Sequence, residues 1–184
     1  MSSGGLEEHA SRAAIDTLDR WFVEHADSVF GYLARRLGRD VGLDATADVF
    51  RVALERFPSF DPTVGSPRAW LFGIANNLAR RHWRTERRRL AALARESASV
   101  AVPALDPLLH VSDRLDASRD LDLVLDALAG LSFEDRDLVL LFAWEGLNYS
   151  ELAAVFMIPV GTVKSRMHSI RRELRRTTQE VRDV

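Results

Sequence analysis

No cysteine occurs anywhere in the 184 residues. That absence excludes a disulfide framework and a thiolate metal site, and it fits a reducing compartment. Long apolar runs are missing too. The longest, such as LVLLFAW over 138–144, fall far short of the roughly 20 residues that a bilayer-spanning helix needs. The opening MSSGGLEEHA lacks the basic-then-apolar order of a secretion signal. The five histidines, His9, His25, His82, His110 and His168, show no metal-ligand spacing, and neither a Gly-rich phosphate loop nor a nucleophile motif is present. No segment alternates with the period of a half-buried strand, and no internal repeat is found. The expectation is a soluble, cytoplasmic chain without catalytic residues, cofactor, metal or membrane insertion.

What is present is apolar material in helical spacing and charge that is segregated along the chain. Hydrophobic residues make up 47% and charged residues 28%, enough to build a core. The net charge of −2 hides two basic runs: RRHWRTERRR (80–89) holds six arginines against one glutamate, and KSRMHSIRRELRR (164–176) six Lys and Arg against one glutamate. Between them, residues 106–137 carry nine acids and three arginines. Exposed charges act over about 8–10 Å at ordinary salt, so local patches decide binding rather than the sum. A single basic run is usually a solvated helix face; two, each beside an apolar pattern, point towards nucleic acid. The acidic segment suggests an internal shield for one basic patch.

Residues 1–18 are small and polar at the start and are expected to form a loose tail. Helical spacing begins at Leu18 and runs through Trp21, Phe22, Val29, Leu33 and Leu37, until GRDVG interrupts it. Phe50, Ala53, Leu54 and Phe57 share a second helical face that ends at Pro58. PSFDPTVGSP (58–67) is a loop rich in turn formers. Pro67 then opens a helix that buries Trp70, Leu71, Ile74, Ala75 and Leu78. These segments make one helical domain over 19–90. Residues 91–118, with two prolines in ASVAVPALDP, read as a flexible linker. A second helical domain follows over 119–178: Leu121, Val124, Leu125 and Leu128 on one face, Gly130, then SFEDRDLVLLFAW with Ser132 as N-cap and Asp135 three residues on. The fold class is all-α, two small helical domains on a linker.

The end of the chain is the most informative part. LNYSELAAVFMI offers Ser150 as a cap for a helix carrying Leu152, Ala153, Val155 and Phe156; MIPVG makes a turn; a second helix follows. Helix, turn, helix is the arrangement whose second helix enters the major groove. At about 100° per residue, Val163, Met167, Ile170 and Leu174 form one seam, with Arg166 near its edge. The opposite side presents Gly161, Ser165, His168, Ser169 and Arg172, flanked by Thr162, Lys164 and Arg175. Small hydrogen-bonding groups at the front and cations behind suit base-edge contact and phosphate neutralisation. A solvated helix would mix acids and bases, and Glu173 is the one acid here.

The segment LSFEDRDLVLLFAWEGLNYSELAAVFMIPVGTVKSRMHSIRREL, with its GTVKSR string, resembles region four of the extracytoplasmic function (ECF) branch of the sigma-70 family. PRAWLFGIANNLARRHWRTERRR and DVFRVALERFPSFDP resemble parts of region two of the same family, and together the likeness covers about residues 20–177. The resemblance implies a transcription initiation factor that binds core RNA polymerase and works on promoter DNA, both duplex and single strand. Region four would read the upstream −35 element through Thr162, Lys164, Ser165, His168, Ser169 and Arg172. Relatives often carry a base where Ser169 stands, and His168 is as consistent with a packed surface histidine. Region two would melt and hold the start-proximal −10 element. Candidates are Phe60 and Asp61 around a flipped base, with Asn77, Arg80, Arg81, Trp83, Arg84, Arg87 and Arg88 along the strand. Trp70 and Phe72 fit core packing better, while Trp83 fits core and stacking about equally. Asp44, Asp48 and Arg51 would touch polymerase, although GLDATA (42–47) departs from the family and puts Ala47 where glutamine is usual. An anti-sigma factor would be the regulatory partner. Two other readings remain open: a helix-turn-helix repressor, which gives the first basic run no task, and an adaptor that binds acidic proteins.

Overall fold

The computed structural model describes the backbone of residues 3–96, 128 and 130–182, and side chains over 12–93, 128 and 130–176. Six α-helices appear among them: α1 (Ser3–Leu37), α2 (Arg39–Arg56), α3 (Pro67–Glu96), α4 (Phe133–Ala143), α5 (Tyr149–Phe156) and α6 (Val160–Arg182), with one 3-10 turn at Phe57–Ser59 after α2. No strand occurs among the described residues.

The tail expected over 1–18 is helical from Ser3 onwards. LEEHASRAAIDT contains no breaker, and a helix nucleated beside the core propagates through good helix formers at little cost. Leu18, at the supposed end of the tail, is buried. GRDVG ends the first helix as expected, and does so through a single residue. Gly38 takes φ 85°, a left-handed turn that favours glycine, and α2 starts at the next residue. Gly42 then lies inside α2 against α1, where a Cβ would come within 2.8 Å of the Ala34 backbone. The close α1–α2 crossing therefore requires glycine at that point.

Helix α3 continues through Glu96, over the first residues assigned to the linker. The rest of the 91–118 segment, and the face built from Leu121, Val124 and Leu125, lie outside the described residues. Ser132 caps α4 as its spacing implies, its Oγ accepting from the Asp135 N–H. At α5 the cap is Asn148, not Ser150. Asn148 Oδ1 accepts from the N–H groups of Ser150 and Glu151 at 2.9 and 3.0 Å, and Glu151 returns a carboxylate to the Asn148 N–H at 2.9 Å. This reciprocal box satisfies several donors, which a serine two positions later would leave unmet.

One hydrophobic cluster runs through the molecule. Val29, Leu33 and Leu37 of α1, Val49 and Ala53 of α2, and Leu71, Phe72, Ala75 and Ala79 of α3 join Leu138 and Leu141 of α4, Leu152 and Val155 of α5, and Val163, Met167 and Ile170 of α6. The two helical units are packed on each other, with α5 lying on α3.

Candidate nucleic-acid interface

Helices α5 and α6 meet through a tight turn. Met157 adopts φ 53°, closing α5 with its N–H on the Ala154 carbonyl, while the Ile158 N–H reaches the Ala153 carbonyl. Pro159 follows and its carbonyl accepts from Thr162 and Val163, starting α6. The helical wheel of α6 holds: Val163, Met167 and Ile170 are buried and Leu174 is half-buried. Thr162, Lys164, Ser165, His168, Ser169 and Arg172 are all exposed on the other side. Nothing lies within 4 Å of the place a Gly161 Cβ would occupy, so the helix can approach a surface closely there. Arg166 does not face outward with them. Its Nε and Nη2 reach Asp135 Oδ1 at 2.8 and 2.7 Å, tying the start of α6 to the start of α4.

The basic end of α3 divides into two groups. Arg81, Arg84, Arg87 and Arg88 are exposed, and the last three outline a shallow recess with Ala91. Arg80 is half-buried, with Nη2 2.6 Å from Glu134 of α4. Trp83 is 7% exposed, its ring edge-on to Phe133 of α4 at 6.5 Å, and its indole N–H finds no partner among the described residues. In this conformation Trp83 is therefore core, not a free platform for a base. An indole inside an arginine run looks exposed in the sequence because its partner, Phe133, is distant along the chain.

The loop after α2 is held by an aromatic cluster. Trp21 meets Phe57, Phe60 and Trp70 at centroid distances of 5.6, 4.9 and 6.1 Å, and Phe60 meets Trp70 at 5.2 Å. Asp61 Oδ1 accepts from the Thr63 N–H and hydroxyl at 2.8 and 2.7 Å, bonds that hold its carboxyl below the usual range and shape the turn. Phe60, Asp61, Trp70 and Asn77 line one cavity of about 340 Å³. Ala154, Val155 and Met157 of the second unit complete its wall.

On α2, Asp44, Asp48 and Arg51 are exposed. Arg51 bridges Asp48 at 3.0 Å and Glu55 at 2.7 Å, which raises its pKa, chiefly through the hydrogen bond to Asp48. Beside them Leu43 and Leu54 are exposed, as is Phe22 of α1. Phe22 and Leu54, which carry the helical spacing of their segments, therefore sit at the outer edge of their helices.

A set of charged residues that sequence reasoning missed joins the two units. Arg36 of α1 and Asp137 of α4 are both fully buried and form an ion pair, Nη2 to Oδ1 2.5 Å, with Tyr32 beside Arg36. The Arg36 guanidinium also lies over the Phe133 ring at 4.5 Å. Burial pushes the Asp137 carboxyl up to about 6 against the pull of Arg36. Arg35 pairs with the Glu145 carboxylate and Arg68 donates to the Glu145 backbone carbonyl. Burial also raises the Glu145 pKa, which the two arginines oppose. Ser66 Oγ donates to Glu151 at 3.1 Å. Little in the sequence signals the pair, because Asp137 closes the charged run EDRD just before the apolar LVLLF. The described end of the acidic segment, Glu134, Asp135 and Asp137, is thus paired with arginines; residues 106–127 of that shield lie outside the described residues.

Comparison with known proteins places this geometry. The Sigma-70 region 2 family matches residues 21–89, and the family Sigma-70, region 4 matches 121–174. The chain is 33% identical over 141 residues to the ECF RNA polymerase sigma factor SigK of Mycobacterium sp. (strain KMS), covering 76% of this chain and 71% of that one. It is 31% identical over 162 residues to the ECF RNA polymerase sigma factor SigL of Mycobacterium tuberculosis (strain ATCC 25618 / H37Rv), covering 86% of each. The fold is similar to CnrH, solved in complex with the cytosolic domain of CnrY, with a TM-score of 0.62 and 22% identity over 94% of both chains. It is also similar to the sigma factor RpoE of Bartonella quintana, solved with the anti-sigma factor NepR, with a TM-score of 0.59 and 20% identity over 88% of this chain and 96% of that one.

Proposed function

The chain belongs to the sigma-70 family, among its ECF sigma factors, and from that premise we propose how its surfaces divide the work of promoter recognition. The unit spanning about 19–90 docks on core polymerase and holds the start-proximal element, and the unit over 119–178 reads the upstream element in duplex DNA. The observation that carries this division is α6: its six outward candidates are all exposed while its apolar seam is packed. Thr162, Lys164, Ser165, His168 and Ser169 meet base edges and nearby phosphates, and Arg172 neutralises the backbone behind them.

In the first unit, the exposed Arg81, Arg84, Arg87 and Arg88 follow the phosphates of an unpaired strand. The cavity between Phe60, Asp61, Trp70 and Asn77 accepts a base turned out of the stack. The aromatic cluster fixes the loop so that this pocket needs little ordering when a base enters. Asp44, Asp48 and Arg51 contact polymerase, together with the exposed Leu43 and Leu54. The protein works in the cytoplasm, beside polymerase and chromosome, and an anti-sigma factor holds it inactive, as the structurally similar sigma factor RpoE, solved with the anti-sigma factor NepR, suggests.

Run-off transcription with purified core polymerase on fragments of the host genome tests the reading. New starts that share a two-part motif support it, and Lys164→Ala should then weaken upstream recognition by about 1–3 kcal/mol. A protein that binds duplex DNA but not polymerase would instead be a repressor. Affinity capture from native cells that recovers polymerase but never a regulator would remove the anti-sigma part.

A further inference from the structure

The surfaces assigned to DNA are not equally open. All six candidates on α6 are exposed, whereas the strand-holding surface of the first unit is partly occupied by α4 and α5. Glu134 holds Arg80, Phe133 covers Trp83, and Ala154, Val155 and Met157 wall the base cavity. An unpaired strand lying along Arg80 and Trp83 would have to displace α4. We infer that the second unit is an internal competitor of the unpaired strand: α4 and α5 clasp the first unit and block strand capture, while the duplex-reading helix stays free. This rests on the sigma-factor reading of the two surfaces.

The chemistry of the contact suits a clasp that opens. Apolar residues alone, Phe133 and Val155 on α3, would hold the units together without a release. The Arg36–Asp137 pair changes that balance, because two charges lose all their water on closure and their mutual contact at 2.5 Å offsets that desolvation only in part. On opening, both are solvated. Glu145 is buried as well, but it accepts from Arg35 at its carboxylate and from Arg68 at its backbone carbonyl, so it opposes closure less. The pair fixes which surfaces meet, and its desolvation keeps the closed state from becoming permanent.

Locking the clasp tests this directly. An ideal Cβ at Gly65 stands 3.5 Å from the Cβ of Ala154 across the contact, within disulfide range, and the chain has no other cysteine. Full-length protein carrying Gly65→Cys and Ala154→Cys should cross-link readily on oxidation. The probes are a labelled duplex carrying the upstream element and the non-template single strand of the start-proximal element, both taken from starts mapped by run-off. The oxidised protein should bind the single strand about tenfold or more weaker than the same protein after reduction, since only open molecules bind it. It should be equally weaker than uncrosslinked protein whose two thiols, which line the base cavity, each carry a methylthio cap. An equal loss in the capped protein would mean that the cavity is merely filled and overturns the clasp. The duplex should bind equally to the oxidised and reduced states. Failure to cross-link, or single-strand binding that is the same oxidised and reduced, overturns the clasp.

Arg36→Met provides an independent measurement. It leaves Asp137 buried without its nearest cation when closed, yet touches nothing proposed to meet DNA. Cross-linking in the cysteine background should slow and single-strand affinity should rise several-fold, although a positive charge has been removed. Unchanged or weakened capture, with duplex binding intact, counts against the clasp. Should the reduced double-cysteine protein and the wild-type chain both fail to initiate with core polymerase, the sigma-factor reading fails instead, and the two failures stay distinct.

Discussion

Asp137 carries the pH dependence of the contact between the units. Solvated, such a carboxyl titrates near about 3.9; packed, it is pushed up to about 6 by burial. Arg36 of α1, Arg80 of α3 and Arg136 of α4 oppose that push, while Glu134 adds to it. Because the closed-state value is the higher one, closure takes up a proton. Packing is strongest below about pH 4, weakens as the pH rises through about 6, and is flat above that. Glu145, raised for the same reason, acts in the same direction. Small-angle scattering should therefore show a smaller radius of gyration at pH 5 than at pH 7.5. In Arg36→Met the loss of a lowering charge should move the midpoint upward and enlarge the change. A radius that does not depend on pH in either protein would remove Asp137 from this role. Sequence alone does not expose the pair: Asp137 closes the charged run EDRD, and Arg36 lies 101 positions earlier in a helix that also offers Arg35.

Single helices were the most legible scale, and α6 most of all, because an amphipathic helix writes its packed seam and its free face into one period. The errors fell at helix ends. Ser150 and Asn148 are both competent caps, and only the reciprocal bonds with Glu151 decide between them. Asn148→Ala should therefore lower stability by about 1 kcal/mol, read as a shifted denaturant midpoint, while Ser150→Ala should leave it nearly unchanged. The Asp135–Arg166 pair, with both side chains a little over a quarter exposed, sets the position of α6 on α4. Asp135→Asn removes that tie and weakens the Ser132 cap, whose hydroxyl donates to Asp135 Oδ2 at 2.8 Å. It should reduce duplex affinity roughly fivefold, from about 1 kcal/mol, with single-strand capture unchanged. An equal loss on both probes would mean that the variant acts through general folding and not through the pose of α6.

At the scale of the whole molecule, composition and periodicity predicted two helical units but not that they share a core. Helical faces show that a side is buried, not what buries it; α3 spends its apolar face on both its own unit and α5. Trp83, which fits core and stacking equally by its spacing, is covered by Phe133 for the same reason. The arrangement nevertheless leaves Asp44, Asp48 and Arg51 exposed on α2 in the closed form. If polymerase docks through α2 as proposed, docking does not require the clasp to open, and docking and melting become separable steps. Oxidised Gly65→Cys/Ala154→Cys protein should still co-migrate with core polymerase, yet the complex should give no permanganate-reactive thymines at a mapped start until reductant is added. Were the oxidised protein unable to bind core at all, α2 alone would be insufficient and opening would have to precede docking. Reactive thymines without reductant would mean that melting proceeds in the closed form. Binding without melting would place the controlled step after assembly, where the unpaired strand and α4 compete for Arg80 and Trp83.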